Sequence, residues 1–279
     1  MVNHTYDWRE SVMSVKKLLK KAINKFQKIT KLETFQDEED ESLSFQIIEK
    51  KNPLLPWRNC RMITFVRDNR PYVYSSVFLS KLRKLQPICP YAQTAFDDFL
   101  KGRDNVERTL VLGCAGCSIP RYFALRFKNA KITGIEYSEL MIQIAQKYFI
   151  ADPLFHNFDL IRDDAFAYVR KEDKAYQAIF VDVFVADQIH PQVFTEEFLT
   201  DLFRISAEES ITVFNFLNVS MEKTAEFIRT LPKPFPAAYA YGKNGRIFVA
   251  LIKTKDPSTL ASFEKRLTKK LEIYDKYFS

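Results

Sequence analysis

The sequence is poor in the residues that build disulfide-stapled or metal-dependent scaffolds. Its four cysteines, Cys60, Cys89, Cys114 and Cys117, form no dense pairing pattern, which excludes a small secreted framework. Three histidines with no clustered pair, and no second CxxC, leave no tetrahedral zinc set, so no metal is expected. No apolar run reaches the roughly 18 residues of a membrane span, and the N-terminus lacks a signal-peptide core. No internal repeat is visible. A hydrophobic content of 47% with mixed charge is that of a soluble globular chain, and a reduced, cytoplasmic protein is the expectation. At 279 residues the chain holds one main domain with an appendage.

Net charge is +7, but its distribution carries more information than its sum. Residues 1–42 hold eight basic and eight acidic side chains, segregated into a lysine-rich segment and the run Asp37-Glu-Glu-Asp-Glu41. Val12, Val15, Leu19, Ala22, Ile23, Phe26 and Ile29 recur at three- and four-residue spacing, which predicts an amphipathic basic helix. Packing on its own domain or on a dimer mate is preferred over contact with an anionic membrane, and the acidic run is taken as a solvated linker. Residues 43–100 then form a small β unit and a connecting helix. Its strand candidates are 43–48, 62–66 and 72–76, with a turn at Asp68-Asn-Arg-Pro71 and a helix over 90–100.

The stretch on which the rest depends is Arg108-Thr-Leu-Val-Leu-Gly-Cys-Ala-Gly-Cys-Ser118. Leu110, Val111 and Leu112 suit a parallel strand covered on both faces. Gly113, Ala115 and Gly116 follow, where a larger side chain would keep the backbone from a ligand. Ser118 is expected to cap a helix whose first turn accepts Pro120. Further strands are predicted at 131–136, 159–164, 178–182 and 211–217, and the first three carry acids at their C-terminal ends: Glu136, Asp164 and Asp182. Open parallel sheets bind ligands at that end. Ala237–Tyr241 and Arg246–Ile252, joined by Gly242-Lys-Asn-Gly245, read as an antiparallel hairpin, and the chain from Ser258 reads as helix. The fold class is α/β, a Rossmann-like class I methyltransferase fold over 101–279, preceded by the small β unit and the amphipathic helix.

From about residue 43 to 255 the sequence resembles the spermidine synthase-like branch of that fold. The resemblance rests on "LVLGCAGCSIPR", "ITGIEYSELMIQIAQKYF", "LIRDDAFAYV", "AIFVDVFVADQIHPQVFTEEFL" and "ITVFNFLN", in the family's order and rough spacing. It implies S-adenosylmethionine or its decarboxylated form as co-substrate, with no metal. It implies that Gly113 and Gly116 line the cofactor's tail, that Glu136 holds the ribose, and that Asp164 meets the adenine amino group with Ala165 beside it. Asp182 matches the carboxylate at the reaction centre, and Tyr91 and Gln93 lie near the family's acceptor-binding tyrosine and glutamine. A homodimer is a further implication.

The sequence departs from the family twice. Gly116 or its neighbour stands where the loop carries an aspartate, and Val185 stands where a second catalytic aspartate belongs, with Asp187 as an offset substitute. Aminopropyl, methyl and aminocarboxypropyl transfer to an amine or related small acceptor therefore all stay open. A nucleoside-binding scaffold is the alternative, and a redox protein built on Cys114 and Cys117 the remote one. Nucleic acid is not an expected partner. Phe184, Phe166 and Tyr137 are candidates to flank the adenine, Asn215 and Asn218 to reach the acceptor, and His190 to act as a turn residue.

Overall fold

Alternating apolar positions after residue 43 build an antiparallel meander, and the computed structural model sets one more strand in front of it. The structure describes residues 26–37, 43–67, 70–103, 105–185, 188–231, 237–243, 246–270 and 272–278. The chain divides into two compact units, Met1–Arg83 and Lys84–Ser279. In the first, β1 (Lys28–Gln36), β2 (Ser44–Lys51), β3 (Cys60–Arg67) and β4 (Arg70–Phe78) pair in sequence order. Phe35, Phe45, Phe65 and Tyr72 share one row across the sheet, and the Phe65 and Tyr72 rings stack with centroids 5.3 Å apart.

β1 corrects the expectation of a helix running through Ile29. It pairs with β2 from Lys28 opposite Lys51 to Gln36 opposite Ser44, so its backbone groups are satisfied by a neighbour rather than within a helix. Phe26 and Ile29 are 53% and 60% exposed, so the apolar stripe does not extend to them. The rest of the expected helix lies outside the described residues. Beyond the end of β1, Asp37 N donates to Leu43 O at 2.9 Å; the rest of the acidic run lies outside the described residues.

The second unit begins before the helix α1 (Pro90–Phe99), so this helix belongs with the parallel sheet and not with the small β unit. Then follow β5 (Arg108–Leu112), α2 (Ser118–Arg126), β6 (Lys131–Glu136), α3 (Glu139–Tyr148), β7 (Phe158–Arg162), α4 (Ala165–Lys171) and β8 (Tyr176–Val181). After a two-residue pair, β9 (Phe184–Val185) and β10 (Gln188–Ile189), come α5 (Glu196–Arg204), β11 (Ser206–Phe216), α6 (Met221–Arg229), β12 (Ala237–Lys243) and β13 (Arg246–Lys253). The helix α7 (Pro257–Lys270) ends where the expected C-terminal helix was to continue. A strand, β14 (Glu272–Phe278), replaces it and pairs antiparallel with β12. The sheet order is β14-β12-β13-β11-β8-β5-β6-β7, with β7, β6, β5, β8 and β11 parallel.

Strand parity explains both the buried runs and the placement of the site. Val111, Ala178, Phe180, Ile211 and Val213 point to the face covered by Phe96, Tyr122, Phe123 and Phe263. Leu110, Leu112, Ile179, Val181 and Phe214 point to the face covered by Val169, Leu199, Leu202 and Phe227. Both faces are dry, so no polar alternation is required. Asp182 and Asn215 continue the first set and so turn toward α1.

At the opposite end of β8 lies a buried polar cluster. Glu172 Oε2 accepts from Tyr176 at 2.8 Å and from Tyr168, and Oε1 accepts from the backbone N–H of Asp173 and Lys174 at 2.9 and 3.1 Å. Burial alone would raise this carboxyl; the two phenols and two amides overcome it and bring it down to about 2. A lowered acid stabilises the fold fully above the ordinary 4.5 and loses that contribution as pH falls through about 2. Glu172→Gln is therefore expected to lower stability at pH 7 by about 3 kcal/mol, with the gap to the native protein narrowing below pH ~4.5. Denaturant melts at pH 7 and pH 3 check this.

Candidate active site

The site lies where the sheet reverses its winding. β5 leads outward through β6 and β7 on one side, and β8, on its other side, leads to β11; ligands bind outside the carboxyl ends at such a point. Gly113 follows β5 and Asp182 follows β8. Gly113 N donates to Ile135 O at 2.9 Å and Asp182 N to Leu112 O at 2.8 Å, carrying the ladder past the strands.

Gly113 sits at φ +85°, and a Cβ there would lie 2.2 Å from the Asp182 carbonyl oxygen. The glycine is thus fixed by the chain of β8 as well as by any ligand. Ala115 and Cys117 also take left-handed φ, 41° and 56°, so the loop turns tightly over Gly116, which is buried. Cys117, not Ser118, is the N-cap of α2, and it makes no side-chain capping bond. Ser118 lies inside the helix, and its hydroxyl is buried with no hydrogen-bond partner among the described residues.

Glu136 does more than end a strand. Its Oε2 accepts from Cys114 N at 3.0 Å and Ala115 N at 2.9 Å, and its Oε1 from Ser138 N at 3.0 Å. The carboxylate ties the loop to β6, with three of about four acceptor sites used. Two residues past the end of β7, where the strand expected over 159–164 has already stopped, Asp164 caps α4: its Oδ1 accepts from Phe166 N and Ala167 N at 3.0 and 2.8 Å. Oδ2 lies outside that cap, and Ala165 is buried beside it.

Asp182 is partly buried and receives Asn215 Nδ2 on Oδ1 at 2.8 Å. Burial pushes its carboxyl up, the Asn215 bond pulls it back, and the Glu136 charge raises it again, to about 6 overall. Cys89, the left-handed N-cap of α1, puts its Sγ 3.9 Å from the same Asn215 amide. Burial and the Asp182 charge hold the Cys89 thiol well above its ordinary value. Asn215 lies opposite Phe248, and Phe248 opposite Tyr241. Tyr241 is fully buried, and its hydroxyl has no hydrogen-bond partner among the described residues.

The structure draws Gly113, Ala115, Gly116, Glu136 and Asp182 together and sets Asp164 and Ala165 at the end of β7. Tyr91 stands near the Asp182 end of the site, its ring 6.3 Å from that of Phe248. Gln93 does not reach it: Oε1 accepts from Gln86 N and Nε2 donates to Ile88 O, both at 2.6 Å. Its amide is spent on holding the chain ahead of α1, which corrects its expected role toward the acceptor. Asp187 lies outside the described residues. His190 caps the turn after it, accepting from Gln192 N at 3.2 Å, and Phe166 is core, whereas Tyr137 is 69% exposed. Asn218 adopts φ 61° just past β11.

Cys114 and Cys117 are free and buried. Burial raises both thiols, and for each the Glu136 charge adds to it. A redox pair at a helix N-terminus is favoured by the opposite shift, so the CxxC reading gains no support here, and the two cysteines pack the turn as buried residues. Among the described residues no group of three potential metal ligands occurs, and no helix is long and apolar enough to cross a membrane.

No protein-family model matches the chain. A polyamine aminopropyltransferase of Vibrio vulnificus is 27% identical over 117 residues, covering 41% of this chain and 39% of that protein. An eEF1A lysine and N-terminal methyltransferase homolog of Drosophila pseudoobscura pseudoobscura is 27% identical over 150 residues, 50% of this chain and 22% of that one. The chain thus matches well under half the length of either relative. The crystal structure of a probable spermidine synthase from Corynebacterium glutamicum superposes with a TM-score of 0.66 at 17% identity, covering 87% of this chain and 90% of that one. The fold is that of a spermidine synthase-like, class I methyltransferase-fold protein. Within this spermidine synthase-like fold stand two features that the sequence motifs do not locate. One is the contact of Cys89 with Asn215 at the start of α1; a cysteine before a proline gives no signal for it. The other is Tyr241, which nothing in the sequence sets apart from Tyr239 in the same strand.

Proposed function

We propose that the chain is a transferase that uses S-adenosylmethionine or its decarboxylated form to alkylate an amine or related small acceptor. The observation that carries this reading is Asp182: a partly buried carboxylate, tuned to about 6, at the switch point beside the Gly113 turn. The donor set around it suits a nucleoside sulfonium. Glu136 is an acceptor for ribose hydroxyls with one site left, Asp164 Oδ2 for an exocyclic amine beside Ala165, and the turn over Gly113, Ala115 and Gly116 for the tail. Bound there, the sulfonium supplies an electrophilic carbon and a thioether leaving group.

The chain's own work is to hold and deprotonate the acceptor. An amine must be neutral to attack, and Asp182 takes its proton as the new nitrogen–carbon bond forms. A value near 6 leaves the carboxylate ionised at neutral pH yet more basic than an ordinary aspartate. Tyr91 and Tyr241 border the acceptor's side, and most of the remaining rate enhancement comes from positioning.

One observation favours a second reading, a catalytically degenerate nucleoside-binding scaffold: Glu136 is already engaged by three backbone N–H groups. Product analysis separates the two. The protein is incubated with S-adenosylmethionine or its decarboxylated form and with a monoamine, putrescine or a lysine peptide. Release of methylthioadenosine from the decarboxylated form marks aminopropyl transfer, and release of S-adenosylhomocysteine marks methyl transfer. Binding of the nucleoside with neither product supports the scaffold.

A further inference from the structure

We propose that Asn215 is a positioning residue that fixes Asp182 for proton transfer, orienting the carboxylate so that Oδ1 is occupied and Oδ2 is left for the acceptor. The inference rests on the transferase reading above and deepens it. Its basis is a row of the sheet. Val181 and Phe214 are partners in the parallel ladder, so Asp182 and Asn215 are the next pair on the face toward α1. Neighbours in such a row lie within about 5 Å, which suits a bond between an amide and a carboxylate. Nδ2 donates to Oδ1 at 2.8 Å. The strand holds the donor rigidly, since Val213 is fully buried and Phe214 and Phe216 are each 1% exposed.

The surroundings explain why an amide serves here. The same Nδ2 lies 3.9 Å from Cys89 Sγ, so its two hydrogens have an acceptor each: the carboxylate and the thiol of the α1 cap. Asparagine offers two donors on one nitrogen, and a hydroxyl in its place would supply only one. An aspartate would set a second negative charge against Asp182, and leucine would take away the donor from which Oδ1 accepts. The bond also opposes the effect of burial on Asp182, which keeps the base ionised near neutral pH.

The test reads the carboxylate directly and needs no acceptor. Protein labelled with carbon-13 at aspartate carboxyls is titrated by NMR, and the Asp182 signal is assigned by its absence in Asp182→Asn. The native midpoint is expected near 6. In Asn215→Leu the midpoint is expected to rise by at least one pH unit, a tenfold gain in proton affinity, and Asn215→Gln is expected to restore about half of that shift. A merely structural role would lower melting temperature in both variants and leave the midpoint in place. A midpoint within 0.3 unit of native in both folded variants overturns the proposal. If Asn215→Leu does not fold, Asn215→Ala, which also removes the donor, is titrated instead and judged by the same limits. Failure of the native protein to bind S-adenosylmethionine or its decarboxylated form would overturn the transferase reading and leave this midpoint result standing.

Discussion

Asp182→Asn is expected to abolish most transfer while making the protein more stable at pH 8. The folded-state value of about 6 lies above the ordinary 3.8, so the folded chain binds this proton more tightly than the unfolded chain does. Stability from that preference is fully present below pH ~4 and is lost as pH rises through about 6. Above that, the ionised carboxylate weighs against folding. An asparagine carries no charge, and its oxygen still accepts the Asn215 amide. The gain at pH 8 is expected to be about 1–2 kcal/mol, a rise in melting temperature of about 2–4 °C per kcal/mol. At pH 4 the two proteins should melt together. Turnover is expected to fall by about 10²–10⁴-fold, the range of general-base catalysis. Melting curves at the two pH values and product release at pH 8 check both halves; a variant less stable than native at pH 8 would show that burial does not tax this carboxylate.

Gly113→Ala is expected to be the most damaging single methyl in the loop. The added carbon would meet the Asp182 carbonyl oxygen at 2.2 Å and its carbon at 2.9 Å. Neither side yields easily, because Asp182 N and Gly113 N are both bonded into the ladder. The left-handed φ of 85° adds a further ~1–2 kcal/mol for any residue with a Cβ. A total loss of about 2–4 kcal/mol is expected, with Asp182 displaced and nucleoside binding lost. Ala115→Gly is the contrast: at φ 41° it relieves a strained Cβ and is expected to hold or raise stability. Denaturant midpoints for the pair decide the matter, and equal effects would mean that the loop yields as a whole.

The second unit was legible in the sequence for a physical reason. Its central strands are dry on both faces, so each is a short apolar run, and most end in an acid at the ligand-binding end. The hairpin of β12 and β13 announced itself through its turn, although Asn244 and Gly245 lie outside the described residues. Less legible were the edges. β1 and β14, each the outermost strand of its sheet, read as parts of helices; in β1, where Ile29 is 60% exposed, the partly buried positions do not alternate strictly. Ser118 looked like a helix cap by residue type, but the left-handed Cys117 takes that position, and backbone conformation is not written in one residue's preference.

The candidate site was legible in its acids and obscure in its amides. Glu136, Asp164 and Asp182 stand at strand ends because the sheet puts them there, and the pattern is visible as apolar run followed by acid. Gln93 is placed toward the acceptor by the family resemblance alone. Only the folded path of residues 86–88 shows that its amide is consumed. Asn215 was visible as a polar interruption of β11, yet its partner Asp182 is 33 residues away. That pairing follows from strand order, which no local pattern gives. The pull of Glu136 on the loop N–H groups is likewise a property of the turn.

The most direct measurement is calorimetric titration of the purified full chain with S-adenosylmethionine and with its decarboxylated form, side by side. Binding of at least one, with stoichiometry near one and weakened about tenfold or more by Glu136→Ala, is the expected result. Tighter binding of the decarboxylated form would point to aminopropyl transfer, and tighter binding of the intact form to methyl or aminocarboxypropyl transfer. Binding of neither would contradict the reading of the β5, β6 and β8 ends as a nucleoside sulfonium site.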